Sequence, residues 1–265
     1  MSFKVLHLNI EKDNHLKEVI NILKEKDPDV VCFEEAYLND VEMIAREFNY
    51  EFSFSPRVII DTQNVLRKEG SVIFSKFKIL ETKIERYDDK ISKEIPVFTL
   101  EETKTKNGIR PADRFLEHYA LLSIGIIFEN QKITIATTHF PVVDHIIPGL
   151  IEHHLGSTEN IREIVRVRKH LQCLIHLIRK LQSPVIFTSD LNNTRGEFFY
   201  DKVAGELVDI VPADIISTLD SKLHRKPELN LVVDTIMTSH EIRVVNFEVI
   251  EGVSDHKALF TTLNI

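Results

Sequence analysis

Short apolar runs that end in an acid, an amide or a histidine recur along this chain, and they constrain the fold more than any other feature. Val5-Leu-His-Leu8 leads to Asn9, and Val30-Val-Cys-Phe33 leads to Glu34 and Glu35. Ile133-Thr-Ile-Ala-Thr-Thr138 leads to His139, and Val185-Ile-Phe-Thr-Ser189 leads to Asp190 and Asn192. Asp234 sits within Leu231-Val-Val-Asp-Thr-Ile-Met237, and Ser254-Asp255-His256 precedes the apolar run from Ala258 to Leu263. Runs of this length, rich in β-branched residues, read as buried strands. Strands packed on one core tend to end at a common edge, so their polar ends can converge on one cleft.

Segments of helical period lie between the strands. Leu16, Val19, Ile20 and Leu23 share one helix face, with Asp13 or Asn14 expected as the cap and Asp27-Pro28-Asp29 as the stop. A short helix is expected over Val41 to Phe48, and a long amphipathic one from Ser157 or Thr158 to Leu181. In the long helix Ile161, Ile164, Val165, Arg168, Leu171, Leu174, Ile175, Ile178 and Leu181 are in register, and Pro184 follows its end. Tyr50 to Phe54, Ser71 to Phe74 and Val244 to Val249 read as further strands. Ala120 to Phe128 and Ile133 to Thr138 read as a hairpin around Glu129-Asn130-Gln131-Lys132. The polar stretch Arg86 to His118 is long for a connection and suits a functional loop. Helices interspersed with strands without strict alternation favour two mixed β-sheets packed face to face with helices outside, an α/β sandwich. With no repeat and no Gly/Ser/Pro linker, residues 1–265 read as a single domain.

Composition removes several function classes. The chain has 265 residues, of which 43% are hydrophobic, enough to bury a core, so disorder is excluded. Two cysteines cannot staple a chain of this length; they suit a reducing compartment and read as core residues, Cys32 on a strand and Cys173 on the long helix. No apolar run approaches the roughly 20 residues of a membrane span and no secretory signal is visible, so a soluble cytoplasmic protein is expected. A net charge of -8, without a run of basic residues, argues against coating a polyanion but says little about cutting one. G-x-x-x-x-G-K, G-x-G-x-x-G, G-x-S-x-G, C-x-x-C and H-E-x-x-H are all missing, so nucleotide-fold and serine-hydrolase chemistry have no motif.

The polar strand ends form a hard-oxygen set: Glu35, Asp190 and Asp255 with the Asn9 and Asn192 amides. Gathering several carboxylates without a cation would be costly. Oxygen donors without thiolate select Mg²⁺ or Mn²⁺, with substrate phosphate completing the shell.

In order along the chain, Asn9 in Leu-Asn-Ile, Glu35 in Cys-Phe-Glu-Glu, Gly70-Ser-Val-Ile-Phe-Ser-Lys, Thr138-His139-Phe, Ser189-Asp190-Leu-Asn192, Asp234 and Ser254-Asp255-His256 resemble the motifs of the endonuclease/exonuclease/phosphatase superfamily. Arg168-x-x-x-Gln172 and Thr218 fit the same pattern. The resemblance implies a four-layer α/β sandwich and metal-dependent phosphoester hydrolysis. It implies that Glu35 is the principal metal ligand with Asn9 and Asp255 beside it. Asp190 would orient or deprotonate the attacking water or bind a second metal, and Asn192 would hydrogen-bond the phosphoryl oxygens. His256, oriented by Asp234, would carry a proton or stabilise the transition state, and His139 would donate to phosphate. Glu69 before Gly70 resembles the deoxyribonuclease branch, where a glutamate partners the histidine matching His139.

The sequence departs from the pattern in places. Glu34 stands where the family usually has glutamine, adding a negative charge beside the expected metal. Glu117-His118-Tyr119 replaces a common arginine before the hairpin strand, leaving Arg110 and Arg114 as candidate phosphate-gripping cations. His139-Phe-Pro-Val-Val-Asp144-His145 lacks the spacing of the zinc motif H-x-H-x-D-H, and with His153 and His154 reads as an exposed loop. Phe198-Phe199-Tyr200 suits either a pocket wall or core packing. The expected function is hydrolysis of a phosphodiester in nucleic acid or a nucleotide-like substrate, with a lipid or inositol phosphate, or a non-catalytic phosphate-binding module, as alternatives.

Overall fold

The computed structural model describes residues 2–88, 93–99, 117–142 and 158–265. The first sheet contains β1 (Phe3–Asn9), β2 (Val30–Tyr37), β3 (Glu51–Asp61), β4 (Leu66–Ser75), β6 (Val97–Thr99), β12 (Arg243–Ile250) and β13 (Ala258–Asn264). The second contains β5 (Glu81–Arg86), β7 (Ala120–Phe128), β8 (Gln131–His139), β9 (Val185–Asp190), β10 (Val208–Asp209) and β11 (Asp234–Thr238). Strand orders are β12-β13-β1-β2-β4-β3-β6 and β10-β11-β9-β8-β7-β5 among the described residues. Each sheet mixes parallel and antiparallel pairs: β1 runs parallel to β2 and β8 to β9, while β13 and β11 run against their neighbours. The helices among the described residues are α1 (Leu16–Lys26), α2 (Leu38–Phe48), α3 (Thr158–Ile178) and α4 (Phe198–Ala204). The expected four-layer sandwich is the observed one.

Alternation along each strand builds the layers. Phe3, Val5, Val30, Cys32, Ile73, Ile133, Ile135, Ile186 and Ile236 form the apolar core between the sheets. Residues of opposite parity turn outward: Leu6, Leu8, Val31 and Phe33 pack with α1 and α2, and Ala136, Phe187 and Met237 pack with α3 and α4. Continuing the inward parity of those same strands reaches His7 and Asn9, Glu34, Glu69, Thr137 and His139, Thr188 and Asp190, and Asp234. The inter-sheet layer is therefore apolar over most of its length and polar at one end.

Local differences from the sequence expectation have physical causes. Helix α1 is preceded by His15, with no side-chain cap from Asp13 or Asn14, because Asp13 is engaged by Arg67 at 2.6 Å. The β3–β4 hairpin extends far beyond Phe54 and Ser71, and Gly70 is what lets its strands close: a Cβ there would lie 2.1 Å from the Ser55 carbonyl oxygen. The run from Leu231 is strand only from Asp234, since the Leu231 carbonyl is committed to the Thr218 backbone N–H at 2.9 Å. The buried stripe of α3 passes through Val167, His170, Leu171, Leu174, Leu177 and Ile178, so Val165 and Arg168 face outward, contrary to the expected register, as does Gln172. Tyr200 and Phe199 are core residues while Phe198 is exposed, which decides for packing over a pocket wall. Among the described residues no helix is long and apolar enough to cross a membrane.

Candidate active site

Three adjacent strands of the second sheet place their candidate residues in one row. His139 pairs in register with Asp190 across β8 and β9, and Asp190 pairs with Asp234 across β9 and β11. The turn before β13 adds His256, whose Nδ1 lies 2.8 Å from Asp234 Oδ2. Asp190, Asp234 and His256 offer ligand atoms that all lie within 4.8 Å of one another. The first sheet contributes Asn9, whose amide donates to Asp190 Oδ2 at 3.0 Å. His139 Nε2 lies 3.5 Å from the same carboxylate oxygen, and the Asn192 backbone N–H donates to Asp190 Oδ1 at 2.9 Å. Thr218, expected only as a weak match, accepts from the backbone N–H groups of Val233 and Asp234 at 3.0 and 3.1 Å and so fixes where β11 begins.

Glu34 and Glu35 are consecutive yet face different surroundings. A register shift between Phe33 and Ala36 breaks the β2–β4 ladder, and Glu35 has φ 53°, a left-handed conformation uncommon for a residue with a side chain. The bulge turns Glu35 toward the cleft, where Lys12 Nζ sits 2.7 Å from Oε2 and Arg57 lies 3.9 Å from Oε1. Glu34 keeps the inward parity and is fully buried, accepting from Thr137 Oγ1 at 2.6 Å. It thus lies between the sheets, and the expectation that it adds charge on the metal side gives way to a buried role.

Arg57 meets Glu69 through Nε and Nη2 at 2.8 to 3.1 Å and Glu117 through Nη1 at 3.0 Å. The expected Glu69–His139 pairing is therefore replaced by an arginine clamp. Lys12 and Arg57 escaped the sequence reading; Lys12 follows Asn9 by three residues and Arg57 lies one position beyond Pro56 in a strand otherwise facing the core, neither spacing being distinctive. Arg110, Arg114, Asp144, His145, His153 and His154 lie outside the described residues.

The electrostatics follow from burial opposed by partners. Burial would raise Asp234, but His256 and His7 at its two oxygens hold it well below the usual carboxylate range. Burial pushes Asp190 up to about 6, His256 pulling it down and Asp234 pushing it further up. Burial would lower His256, yet Asp234 and Asp190 carry it well above an ordinary histidine. Burial would likewise raise Glu35, and Lys12, His139 and Arg57 reverse the effect. Asp255 is raised by burial and, despite His256, by the negative charges of Glu11 and Glu35. Glu34 is pushed by burial up to about 8, with His7 and Thr137 opposing.

Among the described residues the carboxylates here, Glu35, Glu69, Glu117, Asp190, Asp234 and Asp255, outnumber the lysine and arginine that face them, Lys12 and Arg57. Among the described residues Asp255 makes a side-chain hydrogen bond only to Ser254, at 3.2 Å, while burial and its acidic neighbours push it toward protonation. Hard oxygen donors with uncompensated charge fit a divalent cation. The expected ligands Asn9, Glu35 and Asp255 border the row formed by Asp190, Asp234 and His256; the tight group itself comprises residues expected to be catalytic. Asn192 is half-buried with its amide donating to the Phe140 carbonyl at 3.0 Å, beside Asp190.

The sequence profile of the Endonuclease/Exonuclease/phosphatase family matches residues 1–256. No curated protein matches. Solved structures do. An endonuclease/exonuclease/phosphatase from Bacteroides vulgatus aligns with TM-score 0.68 at 14% identity, over 100% of this chain and 99% of that one. ANGEL2, a 2′,3′-cyclic phosphatase in complex with adenosine-2′,3′-vanadate, aligns with TM-score 0.67 at 14% identity, over 99% of this chain and 95% of that one. D. rerio TDP2 complexed with a single-strand DNA product aligns with TM-score 0.61 at 16% identity, over 100% of this chain and 99% of that one. At these identities the structural likeness establishes the fold.

Proposed function

The chain belongs to the endonuclease/exonuclease/phosphatase family, and from that premise we propose that it is a divalent-metal-dependent phosphodiesterase acting on nucleic acid or a nucleotide-like substrate. The observation that carries the reading is the row His139–Asp190–Asp234 completed by His256 at 2.8 Å from Asp234, with Asn9 bonded to Asp190 from the opposite sheet.

Each residue has a role its surroundings support. Asp190, held by the Asn9 amide and the Asn192 backbone N–H, orients the attacking water and draws its proton. His256, fixed through Nδ1 to Asp234, presents Nε2 as a donor toward developing negative charge on the phosphoryl group. His139 stands on the other side of Asp190 as a second donor, and Asn192 lines the same edge. Glu35 and Asp255, with Asn9 beside them, would hold Mg²⁺ or Mn²⁺. When bound, that ion supplies charge neutralisation at the phosphoryl oxygens and orientation of the ester.

Two of the aligned proteins act on nucleic acid or nucleotides by their own descriptions, which supports the substrate class, while another, from Bacteroides thetaiotaomicron, is a mannosyl-6-phosphatase. The test is hydrolysis of bis(p-nitrophenyl) phosphate with Mn²⁺, Mg²⁺ or chelator. Single-stranded oligonucleotides, 2′,3′-cyclic nucleotides, inositol phosphates and a sugar phosphate follow under the same conditions. Turnover of the diester and nucleotide substrates is expected; turnover of only the sugar or inositol monoesters would overturn the substrate class, and turnover of nothing would favour a phosphate-binding module.

A further inference from the structure

Behind Asp234 and His256 lies a buried polar chain whose other members the roles above do not use. Thr188 Oγ1 donates to Thr137 Oγ1 at 2.9 Å, and Thr137 Oγ1 donates to Glu34 Oε1 at 2.6 Å. Glu34 Oε2 faces His7 Nδ1 at 3.4 Å, and His7 Nε2 faces Asp234 Oδ1 at 3.4 Å. Asp234 Oδ2 then meets His256 at 2.8 Å. Every member before His256 is fully buried, and the chain crosses from the second sheet to the first and back.

The placement has a simple origin. His7 precedes Asn9 by two residues on β1, and the parity that turns Phe3 and Val5 into the inter-sheet core turns His7 there as well. Glu34 lies in register with Asn9 on the parallel neighbour β2, which brings its carboxylate beside the His7 ring. A fully buried acid and a fully buried imidazole, each costly alone, are tolerable together because each answers the other.

We propose that His7, held from behind by Glu34, is a positioning residue for the Asp234–His256 pair. A carboxylate with one neighbour can rotate about its Cβ–Cγ bond. With His7 on Oδ1 and His256 on Oδ2, the plane of the Asp234 carboxylate is fixed from both sides, and with it the direction in which His256 Nε2 points. Residues that orient a functional group from behind typically carry about 10- to 100-fold of activity. Glu34, itself held by Thr137 Oγ1, is the polar side chain that backs the His7 ring, 3.4 Å from Nδ1. Glutamine at position 34 keeps an oxygen to accept from Thr137 and a polar group against the His7 ring, whereas leucine offers neither.

The catalytic part of this inference rests on the phosphodiesterase reading, so the experiment has an arm that does not. In the metal-free, substrate-free protein, the His256 Nδ1–H bonded to Asp234 should give a downfield proton resonance in ¹H NMR, assigned by its loss in His256→Ala. His7→Phe should shift or broaden that resonance and lower kcat about 10- to 100-fold with KM within about twofold. His7→Gln, which keeps an N–H toward Asp234, should recover about tenfold of that loss. Glu34→Leu should behave as His7→Phe, and Glu34→Gln should stay within about threefold of wild type. An unshifted resonance and unchanged kcat in a folded His7→Phe would overturn the proposal. If His7→Phe fails to fold, the Glu34→Leu and Glu34→Gln pair decides it: equal resonances and equal kcat in the two would overturn it. Wild-type protein without turnover would instead sink the phosphodiesterase reading, leaving the resonance to decide the linkage.

Discussion

Replacing Arg57 by methionine isolates the strongest charge constraint at the edge of the cleft. Arg57 and Glu69 are 8% and 1% exposed, and the guanidinium grips both carboxylate oxygens of Glu69. Methionine keeps most of the packed volume but leaves Glu69 without its cation. Breaking a buried pair from one side costs about 3–5 kcal/mol. Burial already pushes Glu69 upward against the pull of Arg57, so protonation of the orphaned acid limits the loss to about 3 kcal/mol near neutral pH. For a chain of this size that is roughly 6–12 °C in Tm. The sign with pH follows from proton uptake. In the variant the folded state binds Glu69's proton more tightly than the unfolded state does, so stability falls as pH rises. The deficit against wild type should therefore be larger at pH 8 than at pH 5, read from urea midpoints at each pH. Adding Glu69→Leu removes the stranded charge and should restore most of the loss, because replacing both partners by apolar groups is often near neutral. Equal midpoints for wild type and Arg57→Met at pH 8, or a double variant no more stable than the single one, would refute the clamp.

Asp190→Ala and His256→Ala should each abolish turnover of an activated diester while circular dichroism and the thermal transition show a folded protein; unchanged rates would refute the roles assigned to them. Lys12 and a divalent ion compete for Glu35, so Lys12→Met should tighten Mn²⁺ binding by about threefold in calorimetry, from the roughly 0.7 kcal/mol of a partly exposed ion pair; weaker binding would contradict the competition. His170, 2% exposed, is lowered by burial and by Arg166 to about 4, so the folded state resists protonating it and stability is lost as pH falls from about 6.5 toward 4. His170→Phe should recover roughly 3 kcal/mol of that acid-side loss, and an unchanged pH profile would sink the assignment. Gly70→Ala drives a Cβ into the Ser55 carbonyl and should cost about 1–3 kcal/mol or more, read from the urea midpoint.

Period-2 alternation made the layers and most of the cleft legible. Once Phe3 and Val5 are taken as core, Asn9 must share their side of β1, and Ile186 likewise carries Asp190 inward. The same rule contains His7 and Glu34, yet strand ends alone pass over His7 and set Glu34 on the metal side with Glu35. His7 sits two residues inside its strand, and a histidine within an apolar run attracts notice only when an acid is known to face it. Glu69 was noticed but assigned the wrong partner, because Arg57 reaches it across the β3–β4 hairpin, where a second register shift lies between Pro56 and Val58.

Bulges are where alternation stops predicting direction, and here they separate residues that adjacency would treat alike. Had β2 continued without its irregularity, Glu35 would have followed Val31 and Phe33 toward α2, into an apolar layer with no cation for it. The left-handed Glu35 backbone instead swings its carboxylate to Lys12 while leaving Glu34 between the sheets with His7. One local distortion therefore divides two consecutive acids between different surroundings, which under the proposed function become different tasks: a charge at the cleft for a hard cation and a buried carboxyl beside the histidine behind the row. Short residue motifs record the two glutamates but not the turn between them, since φ above zero at a non-glycine residue has no compositional mark. For that reason a substitution that straightens β2 should disturb the cleft and the buried chain together, although it would touch neither carboxylate.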